Sequence, residues 1–367
     1  MRINRFALNK LYINCSAIAE NYFALQKYVG EKVVCAGTIK SNAYSLGVTP
    51  VMLSLSKAGC SRFFVSTVDE AIELRNNSLT DEIYVLNGAF IGEEDEFAQH
   101  NLIPVLNTRQ QFELFNNYCK RKDKRLSAIL NIDTGTNLLG IPMQEALDLA
   151  QQNYFQQKVN ICSVMSHLAC AADSNNPYNQ KQLDFAHQLQ KIFKKPISLA
   201  DSSGICLGPD YHFDIVRPGI MLYGVKAVSS TLELKPVITV TSPIIQIKEA
   251  TEDLLVGYDN GQKVSKNSML ATIPIGYADG LSSLVGNKGI CYINGSPAPI
   301  VGKVSMDRIV LDITKIPQND LYLGAEVELL GKNATVEKVA QYNTTSCHEI
   351  VTSLGSKLQR IYRQEAY

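Results

Sequence analysis

Eight short apolar runs recur through the first two-thirds of the chain, at 33–39, 62–66, 82–87, 103–106, 127–132, 160–166, 196–200 and 213–216. Stretches with helical period lie between them, at 49–58, 68–76, 108–119, 144–153 and 177–193. A strand returning every roughly 20–35 residues with a helix between is the mark of parallel βα units. Eight such units are the number that closes a (β/α)8 barrel. An open doubly wound sheet is the alternative that periodicity alone leaves standing.

The pattern changes near Lys235-Pro236. From there to about residue 330 the apolar runs are short and bounded by turn residues: 237–240, 244–248, 269–275, 289–293, 309–313 and 326–329. Asp259-Asn260-Gly261 and Asn294-Gly295-Ser296 are turn signals among them. Two helical stretches follow, at 335–342 and 346–361. The fold class expected is therefore α/β plus β. Residues 1–235 form an N-terminal (β/α)8 TIM-like barrel, and residues 236–367 a C-terminal mainly β domain. The first dozen or so residues are free to pack against that second domain.

Composition narrows the function. Apolar residues make up 46% of the 367 and charged residues 19%, enough for a large core. Lys+Arg and Asp+Glu are both 35, so no basic excess points to nucleic acid or to an anionic membrane. No apolar run approaches the ~18 residues of a transmembrane helix. The N-terminus, Met-Arg-Ile-Asn-Arg-Phe, has no apolar signal-peptide core. Nine cysteines, none in a Cys-x-x-Cys pair, fit reduced thiols and a cytoplasmic location. Five histidines lack metal-ligand spacing, so no protein-bound metal is expected.

In a (β/α)8 barrel the chemistry gathers at the carboxyl ends of the strands. The first strand ends in Lys40. The fifth delivers Asn131 and Asp133-Thr134-Gly135, the sixth Ser166-His167, the seventh Asp201-Ser202-Ser203-Gly204, and the eighth Arg217-Pro218-Gly219-Ile220. A lysine at the end of a buried strand is costly to place unless something uses it. An amine drawn partly out of water offers the lone pair that bonding to an aldehyde cofactor requires. By itself Lys40 is equally an ordinary lysine reaching to solvent, and Asp-Ser-Ser-Gly equally a generic turn. Their placement changes that reading, because barrels often bind phosphate in the loops after strands seven and eight. The Ser202 and Ser203 hydroxyls and the backbone N–H groups of Gly204, Gly219 and Ile220 can form such a cup. A lysine facing a phosphate cup points to pyridoxal 5′-phosphate. His167 then lies against the pyridine ring and Arg217 reaches its nitrogen; the alternatives are a core histidine and a turn-side ion pair.

These residues resemble the alanine racemase family over nearly the full length. The resemblance rests on Ile39-Lys40-Ser41-Asn42-Ala43-Tyr44, Asp133-Thr134-Gly135, His167, Val216-Arg217-Pro218-Gly219-Ile220 and Gly257-Tyr258. It continues through Pro-Ile-Gly-Tyr-Ala-Asp-Gly from Pro274, Ile-Val-Gly-Lys-Val-Ser-Met-Asp from Ile300, and Gln359-Arg360-Ile361-Tyr362. It implies a homodimeric, cytoplasmic racemase that uses pyridoxal 5′-phosphate and acts on a small amino acid, alanine, to supply D-alanine for peptidoglycan. Lys40 is implied as cofactor anchor and one catalytic base, and Tyr258 of the partner subunit as the other. Tyr44, Ser202, Gly219, Ile220 and Tyr362 are implied to hold the phosphate, and Arg217 the pyridine nitrogen. Tyr277 is implied to line the entrance, and the Met306 backbone N–H to hold the substrate carboxylate.

The chain departs from the family pattern Asp-Thr-Gly-Met-x-Arg-Leu-Gly. It has Leu138 in place of the arginine that contacts the substrate carboxylate, Asn131 in place of a lysine that orients that arginine, and Ser198 where a histidine often supports Arg217. Losing a bidentate carboxylate clamp costs roughly 2–4 kcal/mol of binding. Three outcomes stay open: another cation fills the gap or activity is simply weaker, specificity shifts to another amino acid, or turnover is lost. A different enzyme on the same fold, such as a decarboxylase or dehydratase, is the remaining alternative.

Overall fold

The computed structural model describes residues 6–78, 80–151, 158–226, 228, 231–259, 261–282 and 285–364. Its parallel sheet runs Val34–Cys35, Ile215–Arg217, Ile197–Asp201, Asn160–Met165, Ser127–Asp133, Ile103–Leu106, Glu82–Val85, Arg62–Val65 and Gly37–Thr38. Both ends of that order come from one stretch of chain, interrupted only at Ala36. The Ala36 N–H donates to the Val216 carbonyl (2.9 Å) and the Ile39 N–H to that of Phe64 (3.0 Å). The first strand thus meets both the eighth and the second, and the sheet closes as a (β/α)8 barrel.

The period of two along each strand builds the two layers. Ala36, Phe64, Tyr84, Val105, Ile129, Met165 and Ile215 point inward, one from each of seven strands, and pack as a small core inside the barrel. Their neighbours, such as Phe63 and Val65 or Ala128 and Leu130, point outward under the helices. The seventh strand contributes Ser198, fully buried, whose hydroxyl donates to the Ile215 carbonyl at 2.8 Å. Side-chain caps start several helices. Thr67 accepts from the Glu70 N–H ahead of Val68–Arg75, and Thr108 from Gln111 ahead of Arg109–Arg121. Asn176 caps Pro177–Phe193, whose first residue is a proline with no N–H to satisfy.

The second sheet has nine strands, in the order Gln246–Glu249, Met269–Ile273, Ile309–Asp312, Ser296–Val301, Ile290–Ile293, Glu326–Leu330, Ile238–Pro243, Lys10–Asn14 and Gln359–Arg363. Lys10–Asn14 lies in this sheet, and Asn14 then caps Cys15–Val29, the helix leading into the barrel. Asn294 and Gly295, both with positive φ (45° and 81°), make the tight turn between Ile290–Ile293 and Ser296–Val301. The Asp259–Gly261 signal falls between Leu254–Val256 and Gln262–Val264, an antiparallel pair; Asn260 lies outside the described residues.

The sequence reading contains neither the strands Lys10–Asn14, Leu254–Val256 and Gln262–Val264 nor the helices Cys15–Val29 and Glu94–Gln99, and three further elements differ from it. Ser296–Val301 is a strand despite Pro297 and Pro299, because its ladder to Ile309–Asp312 begins only at Ile300, beyond both prolines. The helix expected over 346–361 stops at Thr352, and Gln359–Arg363 is a strand paired in parallel with Lys10–Asn14. Leu354-Gly355 breaks the helix there, and the Gly355 N–H turns to the Asp279 carbonyl at 3.0 Å. The helix expected over 144–153 is Met143–Gln151; residues 152 and 153 lie outside the described residues. Among the described residues, no helix is long and apolar enough to cross a membrane.

Arg75 shows how the outside of the barrel is tied. It is buried, and its guanidinium donates to four carbonyls: His100 (2.8 Å), Ser78, Asp81 and Asn101 (each 2.9 Å). Arg75→Met leaves those carbonyls without their donor. We expect a loss of about 3 kcal/mol in stability, read as a lowered urea midpoint with unchanged slope.

Candidate active site

A cavity of about 490 Å³ opens at the carboxyl ends of the barrel strands. Lys40, Tyr44, His167, Ser202, Arg217, Gly219 and Ile220 all line it. Seven residues singled out from sequence, spread over 181 positions, thus meet in one place.

Lys40 follows the buried Ile39 at the end of the first strand. The next five residues, Ser41 to Ser45, all take left-handed backbone angles, with φ between 51° and 67°. None is glycine. At roughly 1–2 kcal/mol per residue such a turn stores on the order of 5–10 kcal/mol, so its surroundings must hold it. The Glu70 carboxylate accepts from the Asn42 N–H at 3.2 Å, and the Asn42 side chain accepts from the Val48 N–H at 2.8 Å.

Ser202 builds the cup expected to hold phosphate. Its hydroxyl accepts from the backbone N–H of Gly219 (2.9 Å) and Met221 (3.4 Å), joining the loops after strands seven and eight. Asp201 accepts from the Gly204 N–H at 2.8 Å and starts the short helix Ser202–Ile205. A side chain on Gly219 has no room, since a Cβ there stands 2.3 Å from the Tyr44 hydroxyl. The cradle is thus kept open by a glycine and faced by a phenol whose pKa burial pushes up, so Tyr44 stays a hydrogen-bond donor.

Arg217 is buried. Its guanidinium donates to the Ser198 hydroxyl, to the Ser166 carbonyl (2.7 Å) and to the Leu199 carbonyl (3.3 Å). Burial pushes its pKa down to about 10, against the pull of Asp201, so it stays a cation at neutral pH. Ser198, one of the departures from the family pattern, orients it. His167 is held in the neutral form chiefly by desolvation, with Arg217 and Lys40 acting the same way and Asp201 opposing.

Sequence reasoning missed two residues here. Gln182, fully buried in mid-helix, donates to the His167 carbonyl (2.9 Å) and to Thr134 Oγ1 (3.0 Å). Thr134 in turn bonds the Ser166 hydroxyl at 2.8 Å, so one chain of bonds runs from the helix to the residue that holds Arg217. His348, in the short helix Cys347–Thr352, also lines the cavity, its ring centroid 6.0 Å from that of Tyr44. Nothing local marks it; only the docking of the second domain brings it there.

The opposite wall carries the other two departures. Asn131 donates to Asn107 Oδ1 (2.9 Å) and to the Leu139 carbonyl (3.2 Å). Leu138 lines the cavity and is 86% exposed. Among the described residues lining the cavity, the lysines and arginines are Lys40 and Arg217 alone.

Four expected site residues stand outside this cavity. Tyr258, Tyr277 and Met306 are 67%, 48% and 58% exposed on the β domain. They share one face: Tyr277 and Ala278 donate to the carbonyls of Ser305 and Met306 (3.1 and 3.0 Å), and Asp259 pairs with Lys303 at 2.8 Å. Tyr362 is a correction. Its hydroxyl donates to the Leu46 carbonyl at 2.9 Å, and its ring borders a separate crevice with Cys15 and Pro50. It supports the turn after Lys40 instead of the cup.

Both histidines at the cavity have folded-state pKa values below the ordinary 6.5, mainly through desolvation. The unfolded chain therefore binds protons first as pH falls below about 6.5, and stability drops in that range. The cofactor-free protein is expected to melt at a lower temperature at pH 5.5 than at pH 7.5, with His348→Gln narrowing the gap in a calorimetric comparison.

The sequence pattern of the alanine racemase N-terminal domain matches residues 13–227, and that of the C-terminal domain residues 237–362. The chain belongs to the alanine racemase family. An alanine racemase of Rickettsia akari is 39% identical over 358 residues, covering 97% of this chain and 99% of that one. One from Rickettsia canadensis is likewise 39% identical with the same coverage. Among solved structures, an alanine racemase from Bartonella henselae with covalently bound pyridoxal phosphate superposes with a TM-score of 0.91 at 36% identity, covering 97% of this chain and all of that one. The biosynthetic alanine racemase of Pseudomonas aeruginosa gives 0.90 at 28% identity, with 98% and 100% covered.

Proposed function

We propose that this protein is a cytoplasmic, homodimeric racemase that uses pyridoxal 5′-phosphate to interconvert L- and D-alanine, supplying D-alanine for peptidoglycan. The observation that carries this reading is the cavity itself: one lysine, a glycine-kept anion cradle and one buried arginine at the mouth of a barrel. The residues fit the cofactor. Lys40 would bond its aldehyde carbon, the Ser202–Gly219 cradle with the Tyr44 hydroxyl would hold its phosphate, and Arg217 would donate to its pyridine nitrogen.

When bound, pyridoxal phosphate withdraws electrons from the substrate Cα–H bond and so acidifies it. The protein supplies the proton movements. The Lys40 amine removes or returns the Cα proton on one face, serving the D-enantiomer. The Tyr258 phenol of a second copy does so on the other face, serving the L-enantiomer. Arg217, always a donor, would keep the ring nitrogen unprotonated and so favour return of the proton to Cα over side reactions. The exposed face of Tyr258, Tyr277 and Met306 supports a site completed across a dimer.

Incubation with single L-amino acids followed by chiral chromatography tests the activity. D-alanine is expected, and no D-product from any amino acid counts against racemisation. The second reading, a shifted substrate, is favoured by Leu138 and by the lack, among the described residues lining the cavity, of a lysine or arginine besides Lys40 and Arg217. If that wall lacks its carboxylate clamp, Leu138→Arg raises kcat/KM for alanine about 10- to 100-fold, the worth of a charge-assisted pair. An unchanged value means another group already holds the carboxylate.

A further inference from the structure

We propose that Arg360, on the last strand of the second domain, is a positioning residue for Lys40. It fixes the left-handed turn that carries the lysine into the cavity, so the C-terminal domain sets how the anchoring amine is presented. This rests on the reading of Lys40 as cofactor anchor.

The turn uses part of its own bonding capacity. Ala43 donates to the Ile39 carbonyl and Ser45 to that of Ser41, each at 2.9 Å. The carbonyls at its end, on Ser45 and Leu46, are taken by the second domain. Arg360 Nε and a terminal nitrogen both donate to the Ser45 carbonyl, at 3.0 and 2.8 Å. Tyr362, two residues along and therefore on the same face of Gln359–Arg363, donates to Leu46. The Ser45 hydroxyl donates to the Thr352 carbonyl at 2.7 Å. Next in the chain is Gly47, at φ 102°, where a Cβ would stand 2.0 Å from the Tyr362 hydroxyl. Strand and turn are thus in close contact.

Arg360 also reaches the Leu354 and Gly355 carbonyls, at 3.3 and 3.4 Å, just past the helix that brings His348 to the cavity. One half-buried guanidinium joins the lysine turn to that helix. Its bonds go to backbone carbonyls, so its role is to hold chain geometry. A lysine has the charge but not the fixed fork that meets one carbonyl twice and two others besides. Left-handed backbone persists in non-glycine residues only where surrounding contacts enforce it. The clamp and the strained turn are therefore parts of one device.

Three variants of the full-length protein, stripped of cofactor and reloaded, test this: Arg360→Lys, Tyr362→Phe and, as a control for stability alone, Arg75→Met. The readouts are the rate at which added pyridoxal phosphate becomes attached to Lys40, trapped with borohydride and located by peptide mass; the pH profile of the bound cofactor's absorbance; and hydrogen exchange at the amides of residues 43–47. We expect Arg360→Lys to slow attachment about ten-fold or more, to shift the absorbance profile and to speed exchange in the turn. Tyr362→Phe acts in the same direction by about three-fold, and it decides the matter if Arg360→Lys does not fold. Arg75→Met lowers the melting temperature and leaves all three readouts as in the wild type. A folded Arg360→Lys protein with wild-type attachment rate and absorbance overturns the proposal, as does an equal effect from Arg75→Met. Failure of the wild type itself to attach cofactor at Lys40 instead overturns the functional reading.

Discussion

Lys40→Ala is expected to lower alanine racemisation by at least about 10⁴-fold and to leave the purified protein without covalently attached cofactor. The size follows from two losses at one position: the covalent anchor and the proton carrier on one face of the substrate. Nothing nearby replaces either. Arg217, the other lysine or arginine lining the cavity among the described residues, is buried and carries a guanidinium, not a primary amine. His167 and His348 are imidazoles, which lack the primary amine that bonding an aldehyde requires. Absorbance spectra and peptide mapping after borohydride trapping measure the first effect, and chiral chromatography the second. A variant that keeps a tenth of wild-type turnover removes Lys40 from the chemistry.

Tyr258→Phe is expected to cut racemisation by about 10³-fold, within the range for removing a general acid–base group. Its signature is asymmetry. With Lys40 intact, D-alanine still exchanges its Cα proton with solvent, whereas exchange from L-alanine is lost with the phenol. Proton NMR in deuterated water follows both enantiomers separately. Equal loss from both, with cofactor attachment normal, means that Tyr258 does not serve one face. Tyr258 is 67% exposed on the β domain, so simple unfolding does not explain such a loss.

What the chain showed before folding depended on how local each signal was. The barrel strands were legible because each is an apolar run bounded by polar turns, and their ends located Lys40, His167, Ser202, Arg217 and Gly219. The cup was legible for the same reason, since barrel topology places the loops after strands seven and eight side by side. Ser296–Val301 was hidden by its two prolines, whose tolerance depends on where a neighbouring ladder begins. The left-handed turn after Lys40 was hidden because Ser, Asn, Ala and Tyr carry no glycine mark; its conformation is imposed by Glu70 and by the second domain. Tyr362 falls outside the cavity because the helix expected over 346–361 ends at Thr352 and Gln359–Arg363 is a strand beneath the lysine turn, whereas His348 carries no local mark of the cavity it reaches.

The same limit applies to Tyr258. A single chain presents it with Tyr277 and Met306 on an exposed face, away from the cavity it is expected to serve. Mixing Lys40→Ala with Tyr258→Phe, under conditions that let subunits exchange, tests most directly whether one site takes its two bases from two copies. Each variant alone is inactive. In the mixed dimer one of the two sites holds both wild-type residues, so an equal mixture is expected to recover about a quarter of wild-type activity. A mixture no more active than its two components contradicts a shared site.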